Sequence, residues 1–197
     1  MAHFSAITAA FLLFALLHSL LANPEIRRIL QRAMGSAAPY YRLMYNFLSL
    51  LLLVGIYIWL PPRGEVLYDF RPPWSWLMHT VQLGAATAFV MTLRDFSLRE
   101  FLGIANIRSA ASDPAEQLNL KGTFQYCRHP LYTATTVFLL AQPTMTIGML
   151  AWTLNIVLYF VIGSYFEERN LEARFGQVYR DYRLRVPKFI PRLRKRG

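Results

Sequence analysis

Long apolar runs separated by short polar segments dominate the chain. Three of these runs are clear, and they cover residues 4–22, 43–60 and 74–93. A helix that crosses a membrane needs about 20 mostly apolar residues. Each run therefore predicts one transmembrane helix.

A fourth apolar stretch, residues 131–166, contains no charged residue and is too long for one crossing. At about 1.5 Å per residue a single helix would extend about 54 Å, whereas the hydrocarbon core is about 30 Å thick. Pro143 and Gly148 interrupt it, and proline cannot continue a helix without the loss of a backbone hydrogen bond. The pattern predicts a helical hairpin with spans at 131–143 and 148–166. The alternative is one kinked helix within a soluble core.

Composition supports the membrane interpretation. Of the 197 residues, 55% are hydrophobic and 16% are charged, whereas soluble domains carry about a quarter charged residues. The net charge is +10, and the basic residues flank apolar segments, which favours membrane lipids as their partner. No nucleic-acid module is recognisable, so we expect no nucleic-acid partner. Cys127 is the only cysteine, which excludes an internal disulfide and a multi-cysteine metal site; we expect no metal.

The distribution of lysine and arginine predicts the orientation. If 23–42, 94–130 and 167–197 are cytoplasmic, 19 of the 21 basic residues lie inside, and only Arg63 and Arg71 lie outside. This positive-inside pattern requires an external N-terminus, a cytoplasmic C-terminus and an odd number of spans. We therefore predict an all-α integral membrane protein with five transmembrane helices, built as a single membrane domain over 1–197.

The tail after Glu168 has helical periodicity. Its apolar positions lie at offsets of 4, 7, 8, 11 and 15 from Leu171, and basic residues occupy the other face. The apolar positions are Leu171, Phe175, Val178, Tyr179, Tyr182 and Val186. We predict a cytoplasmic amphipathic C-terminal helix that lies on the membrane surface and ends at Pro187. The alternative is that this helix only anchors the chain to the membrane surface, and that role is compatible with the helix also covering a site.

A second helix start is predicted at 112–116, where Asp113 precedes a proline.

A hairpin returns the chain to the side that it left. Arg128 and His129, at one end of the charge-free stretch, are then placed at the same membrane face as Glu167 and Glu168 at the other end. A basic pair beside an acidic pair can bind a zwitterion, because carboxylates bind an ammonium group and a guanidinium binds a carboxylate. The alternative is that these groups only extend to the interface and pair with one another.

The segments that flank the hairpin resemble a known family. Lys-Gly-Thr-Phe-Gln-Tyr-Cys-Arg-His-Pro-Leu-Tyr (121–132) and a segment that begins Glu-Glu-Arg-Asn-Leu-Glu (167–172) are similar to the integral-membrane methyltransferases. These are the isoprenylcysteine carboxyl and phospholipid methyltransferases, in which Arg-His-Pro-x-Tyr and a downstream Glu-Glu pair belong to the cofactor site. The resemblance implies S-adenosylmethionine as the cofactor and S-adenosylhomocysteine as the product.

The same resemblance implies the site residues. Arg128, His129 and Glu167 are expected to be catalytic, with Arg128 on the cofactor carboxylate and Glu167 on its ammonium group. Glu168 either shares the role of Glu167 or braces Arg128. The expected cofactor-binding residues are Lys121, Gly122, Thr123, Phe124, Tyr126, Arg128, His129, Pro130, Tyr132, Glu167 and Glu168. The loop 94–130 and the tail 167–197 would form this site.

Other motifs resemble the NnrU-like proteins and the bacterial methanethiol S-methyltransferases. They include Leu-His-Ser-Leu-Leu-Ala (17–22) and Gln-Pro-Thr-Met-Thr-Ile-Gly (142–148). This branch implies a small thiol acceptor and a bacterial inner membrane. Thr133 follows the motif tyrosine, whereas many relatives have glycine there.

We therefore predict a membrane methyltransferase that transfers the methyl group of S-adenosylmethionine to a small or lipophilic acceptor, most plausibly a thiol. One alternative is an NADPH-dependent membrane reductase of an enone or sterol-like lipid, because such enzymes have a similar His-Pro-x-Tyr motif. The other alternative is a non-catalytic membrane accessory protein. It stays open because Thr133 follows Tyr132, where many relatives have glycine.

Overall fold

The structure is a computed structural model, and it describes residues 2–95, 118 and 120–192. The elements, in chain order, are helices and two short strands. They are α1 (Ala2–Ala22), α2 (Pro24–Met34), a 3-10 turn (Gly35–Tyr40), α3 (Tyr41–Trp59), β1 (Val66–Asp69), α4 (Trp74–Asp95), a second 3-10 turn (Gly122–Gln125), α5 (Pro130–Leu140), β2 (Thr144–Thr146), α6 (Ile147–Phe175) and α7 (Gln177–Arg185). The helix start predicted at 112–116 lies outside the described residues.

Among the described residues, four helical stretches are long and apolar enough to cross a membrane. By length and composition they are Ala2–Ala22, Pro24–Trp59, Trp74–Asp95 and Ile147–Phe175. The second of them joins α2, the first 3-10 turn and α3, of which α3 is the apolar part. The chain is therefore a predominantly helical integral membrane protein, as the hydrophobic pattern predicts.

The described residues form two compact units. One contains 2–65 and 146–155, and the other contains 66–95, 120–145 and 156–192, so that α6 is divided between them at residue 155.

In the first unit, polar side chains connect α1 to its neighbours. His18 Nε2 lies 2.6 Å from the Tyr45 hydroxyl, and its Nδ1 lies 2.9 Å from the Ser49 hydroxyl. Asn155 of α6 donates to the Thr8 hydroxyl at 3.1 Å, and the Trp152 indole N–H donates to the Leu60 carbonyl at 3.1 Å. Apolar helices in lipid gain little from mutual burial, so hydrogen bonds of this kind help to fix helix pairs.

In the second unit, the charge-free stretch is broken between Leu140 and Ile147, close to the predicted break. β2 occupies the gap and pairs with β1. The Phe70 N–H also donates to the Pro143 carbonyl at 2.9 Å, and the Thr144 hydroxyl donates to Asp69 Oδ1 at 2.6 Å. These bonds attach the segment that follows α5 to β1 and its end.

The last helices differ from the prediction. The predicted span ends at residue 166, but α6 continues to Phe175, so Glu167 and Glu168 lie on the helix and not beyond it. The predicted tail helix is interrupted at Gly176, whose φ of +56° is in the left-handed region that glycine readily adopts. The Gly176 N–H bonds to the Glu172 carbonyl at 2.9 Å and closes α6. The short α7 follows, with Tyr179 and Tyr182 buried.

Candidate functional site

The centre of the site is Glu168, on the last turns of α6. Its Oε1 accepts a hydrogen bond from Arg128 Nε at 2.9 Å and lies 3.0 Å from His129 Nε2. Because the oxygen of an ionised carboxylate only accepts, His129 Nε2 carries a proton in this contact. Lys188 Nζ lies 3.9 Å from the other oxygen, Oε2. The Glu168 side chain is only 10% exposed and serves as a buried anchor for the cationic groups around it.

Arg128 is largely committed to the protein. Its Nε bonds to Glu168, and its Nη1 donates to the carbonyls of Arg183 at 3.0 Å and Val186 at 2.7 Å. The side chain is 11% exposed. The guanidinium therefore joins α6 to the end of α7, and within the described part of the chain its bonds are made by Nε and Nη1.

Glu167, the preceding residue, has a different environment. Its side chain is 45% exposed. Its Oε2 accepts a hydrogen bond from the Tyr132 hydroxyl at 3.0 Å and lies 3.6 Å from His129 Nδ1. A carboxylate that is oriented by one hydroxyl and open to solvent on another side can accept hydrogen bonds from a cationic ligand.

Parallel aromatic rings separate the two carboxylates from the apolar part of the hairpin. The His129 ring stacks on the Tyr132 ring with centroids 5.2 Å apart, and the Tyr132 ring stacks on Phe160 at 4.5 Å. Phe160 belongs to α6, about two helical turns before the carboxylates, so the stack holds α5 against α6. The two ends of the charge-free stretch are in direct contact, as the hairpin prediction requires.

The loop before the motif is held from another direction. The Asp95 carboxylate, at the end of α4, accepts hydrogen bonds from the Thr123 N–H at 2.7 Å and from its hydroxyl at 2.9 Å. Gly122 has a φ of +61°, and a side chain at this position would collide with the Asp95 carboxylate. The sequence predicts that Gly122 lies near a ligand. In the structure, the Asp95 carboxylate occupies the space that a side chain at this position would need.

Four of the eleven predicted cofactor-binding residues line one of two cavities. Gly122, Thr123 and Tyr126 line a cavity of about 330 Å³ together with residues of α4. Glu168 lines a second cavity of about 540 Å³ together with arginines of α6 and α7. Arg128, His129, Tyr132, Glu167 and Glu168 form one contact cluster. Pro130 is buried at the first position of α5, and Lys121 is exposed.

Several residues that contact the candidate site were not predicted from the sequence. Asp95 and Tyr182 hold the loop, since the Tyr182 hydroxyl donates to the Phe124 carbonyl at 2.7 Å. Burial raises the pKa of the Tyr182 hydroxyl, so it remains a proton donor at neutral pH. Lys188 and Phe189 lie against Glu168 and His129. The sequence places Tyr182 in the apolar stripe of the tail but predicts no contact between Tyr182 and the loop.

Comparison with known proteins gives the family. Residues 6–143 match the family model described as NnrU protein, which is more than half of the chain. The chain belongs to the NnrU family. The matched region includes the Arg-His-Pro motif and ends before α6, so it does not include the two carboxylates.

Relatives of this NnrU-family chain extend the comparison across the whole site. Methanethiol S-methyltransferase 2 of Bradyrhizobium diazoefficiens is 32% identical over 188 residues, which cover 92% of this chain and 70% of the relative. The methanethiol S-methyltransferase of Pseudomonas deceptionensis is 29% identical over 93% of this chain and 71% of its own length. That of Mycobacterium tuberculosis is 28% identical, over 90% of this chain and 74% of its own length.

An alignment over nine tenths of the chain includes both ends of the charge-free stretch. The predicted resemblance to the NnrU-like and methanethiol S-methyltransferase branch is therefore confirmed, and the expectation of a methyltransferase agrees with the names of these relatives. No solved structure matches the chain.

Proposed function

We propose that this chain is an integral-membrane methyltransferase that uses S-adenosylmethionine and a small or lipophilic thiol acceptor. The observation that carries the proposal is the different state of two consecutive carboxylates. The Glu168 carboxylate is hydrogen-bonded to Arg128 and His129, whereas the Glu167 side chain is half-exposed beside Tyr132. A site built in this way offers one oriented negative charge to a cationic ligand. The names of the curated relatives supply the reaction class.

The side chains fit the two ends of an amino-acid zwitterion. Glu167 would bind the ammonium group of the cofactor, and Arg128 would offer Nη2 to its carboxylate. The loop from Lys121 to Tyr126 would cover the remainder, held by Asp95 through Thr123. When bound, S-adenosylmethionine supplies an activated methyl group on a sulfonium centre, so the protein has to bind, orient and exclude water.

Within this site, His129 would orient the cofactor, and Glu168 would hold Arg128 and His129 in place. The His129 ring is fixed by Glu168 at Nε2 and by the Tyr132 ring on its face. The buried Glu168 keeps Arg128 in place by a charge-assisted hydrogen bond, which is stronger than a neutral one. The His129 ring is thereby held in one orientation, in which it can form one side of the cofactor pocket.

A thiol acceptor reacts as the thiolate, whose free pKa is about 8.5, and neighbouring cations favour that form. The cluster supplies such cations, with Arg128 and Lys188 both near Glu168. An apolar thiol can enter sideways from the bilayer. Transfer from cofactor to acceptor is direct and needs no protein nucleophile, so Cys127 has no catalytic part in this proposal.

We also propose five membrane crossings, with the N-terminus outside and the C-terminus in the cytoplasm of a bacterial cell. α5 has 11 residues, about 16 Å of helix, which is half of a hydrocarbon core of about 30 Å. Residues 141–146 would complete the crossing, and their last three residues form β2, which pairs with β1. The distribution of lysine and arginine supports this orientation in the inner membrane.

The test is ligand-dependent thermal stabilisation of the purified protein in detergent. We expect S-adenosylhomocysteine to raise the melting temperature and NADPH to leave it unchanged. Stabilisation by NADPH alone would select the reductase alternative, in which phosphates would need cations where Glu167 and Glu168 stand. Stabilisation by neither ligand would select the non-catalytic accessory protein.

A further inference from the structure

The tail beyond α7 crosses the motif that carries the site. We call residues 186–192 the strap. The Arg128 N–H donates to the Pro187 carbonyl at 2.9 Å, and the His129 N–H donates to the Lys188 carbonyl at 3.1 Å. In return, the Arg192 N–H donates to the Tyr126 carbonyl at 3.0 Å. The strap thus pairs with the backbone of the motif.

Side chains strengthen this pairing at both ends. Arg128 Nη1 reaches the Val186 carbonyl, and the Phe189 ring lies 5.7 Å from the His129 ring, tilted by 41°. Lys188 adds its ammonium group to the surroundings of Glu168. The backbone and ring of His129 therefore both rest on the strap.

Thr133 joins the strap to α5. Its hydroxyl lies 2.8 Å from the Phe189 carbonyl and 3.1 Å from the His129 carbonyl. A hydroxyl has a single proton, which the two carbonyls share. The Thr133 N–H also donates to the His129 carbonyl at 3.0 Å. The Thr133 side chain therefore contacts both the strap, at Phe189, and His129, which pairs with the strap.

We propose that Thr133 is a positioning residue: its hydroxyl holds the strap against the motif and so fixes the orientation in which His129 meets a ligand. The inference rests on the proposed function for the ligand, but the contact between Thr133 and the strap can be tested without it. Thr133 itself would not touch the cofactor.

The experiment compares Thr133→Val, which keeps the shape and removes the hydroxyl, with Thr133→Ser, which keeps the hydroxyl. Thr136→Val is the matched control, since Thr136 lies one turn further along α5 and the described residues show no bond from it to the strap. Hydrogen–deuterium exchange is measured on peptides that contain the Arg128 and His129 amides. Binding of S-adenosylhomocysteine is measured by calorimetry on the same proteins.

In Thr133→Val we expect these amides to exchange roughly three- to tenfold faster, as the loss of one net hydrogen bond implies. Affinity for S-adenosylhomocysteine should fall by a similar factor, and Thr133→Ser should restore both properties. Thr136→Val should change neither.

Unchanged exchange in Thr133→Val would overturn the contact between Thr133 and the strap. Faster exchange with unchanged affinity would overturn its positioning role, because the strap would then serve stability alone. If the wild-type protein does not bind S-adenosylhomocysteine, the proposed function fails, and the exchange result still decides whether Thr133 holds the strap. A chain that ends after residue 186 provides a second variant, in which the two amides should exchange fastest.

Discussion

Glu167 and Glu168 are neighbours on α6, yet their environments are opposite. Glu168 is 10% exposed and contacts Arg128, His129 and Lys188, whereas Glu167 is 45% exposed, accepts a hydrogen bond from Tyr132 and lies 3.6 Å from His129 Nδ1. Consecutive helical residues point about 100° apart, so one carboxylate can face the motif while the next faces the solvent side. On the proposed function we expect different roles for them: Glu168 would organise the site, and Glu167 would present a charge to the ligand.

The largest effect should come from Glu168→Ala. This change leaves Arg128 buried without its carboxylate, and removal of one partner of a buried pair costs roughly 3 kcal/mol or more. We expect a fall in melting temperature of roughly 10 °C and loss of S-adenosylhomocysteine binding. Thermal unfolding in detergent checks it.

The matched control for this change is Glu172→Ala on the same helix. Glu172 pairs with Arg180 and Arg183, whose side chains are 59% and 46% exposed, and exposed pairs contribute at most about 1 kcal/mol. Equal destabilisation by the two variants would show that Glu168 is not a special anchor.

A different result is expected for Glu167→Gln. The substitution keeps the shape and an acceptor for the Tyr132 hydroxyl but removes the charge, so stability should change little. Loss of a charge-assisted hydrogen bond should weaken S-adenosylhomocysteine binding by roughly tenfold or more. Calorimetric titration measures this, with Glu172→Gln as the control of equal charge change. Retained affinity in Glu167→Gln would remove Glu167 from the ligand site.

The smallest effect is expected for Cys127→Ala. The thiol is 1% exposed, and burial raises its pKa, against smaller opposite contributions from Thr133 and the His129 backbone. It therefore remains neutral at pH 7 and reacts poorly with alkylating agents, which attack the thiolate. We expect ligand affinity within about twofold of wild type, and little labelling of the folded protein by iodoacetamide. Rapid labelling at neutral pH, or loss of methyl transfer in Cys127→Ala, would contradict the direct-transfer proposal.

Charge and hydrophobic pattern were sufficient to predict the part of the site that depends on the hairpin. A charge-free stretch too long for one crossing, with Pro143 and Gly148 inside it, requires a return of the chain, and that return brings Arg128 to Glu168. Membrane thickness is a strict constraint, so this contact follows from counting residues. The different exposure of Glu167 and Glu168 did not follow, because the helix was expected to end before them; the sequence left open whether Glu168 shares the role of Glu167 or braces Arg128.

The strap shows what the sequence did not reveal. Its contacts with the motif are made largely through backbone carbonyls of Pro187, Lys188 and Phe189, and carbonyls carry no residue-specific signature. The pairing of Asp95 with Thr123 joins residues far apart in sequence, for which a single sequence offers no signal. The break at Gly176 was accessible, since glycine is a common signal for the end of a helix, but the apolar stripe on both sides of it concealed the break.

The central claim is that the two ends of the hairpin form one cofactor site, with Glu167 as its negative contact. The most direct measurement is an experimental structure of the full chain with S-adenosylhomocysteine bound. We predict that the amino group of the ligand lies within hydrogen-bonding distance of the Glu167 carboxylate, with Glu168 still paired to Arg128. A ligand bound elsewhere, with no contact to Glu167 or His129, would contradict the account.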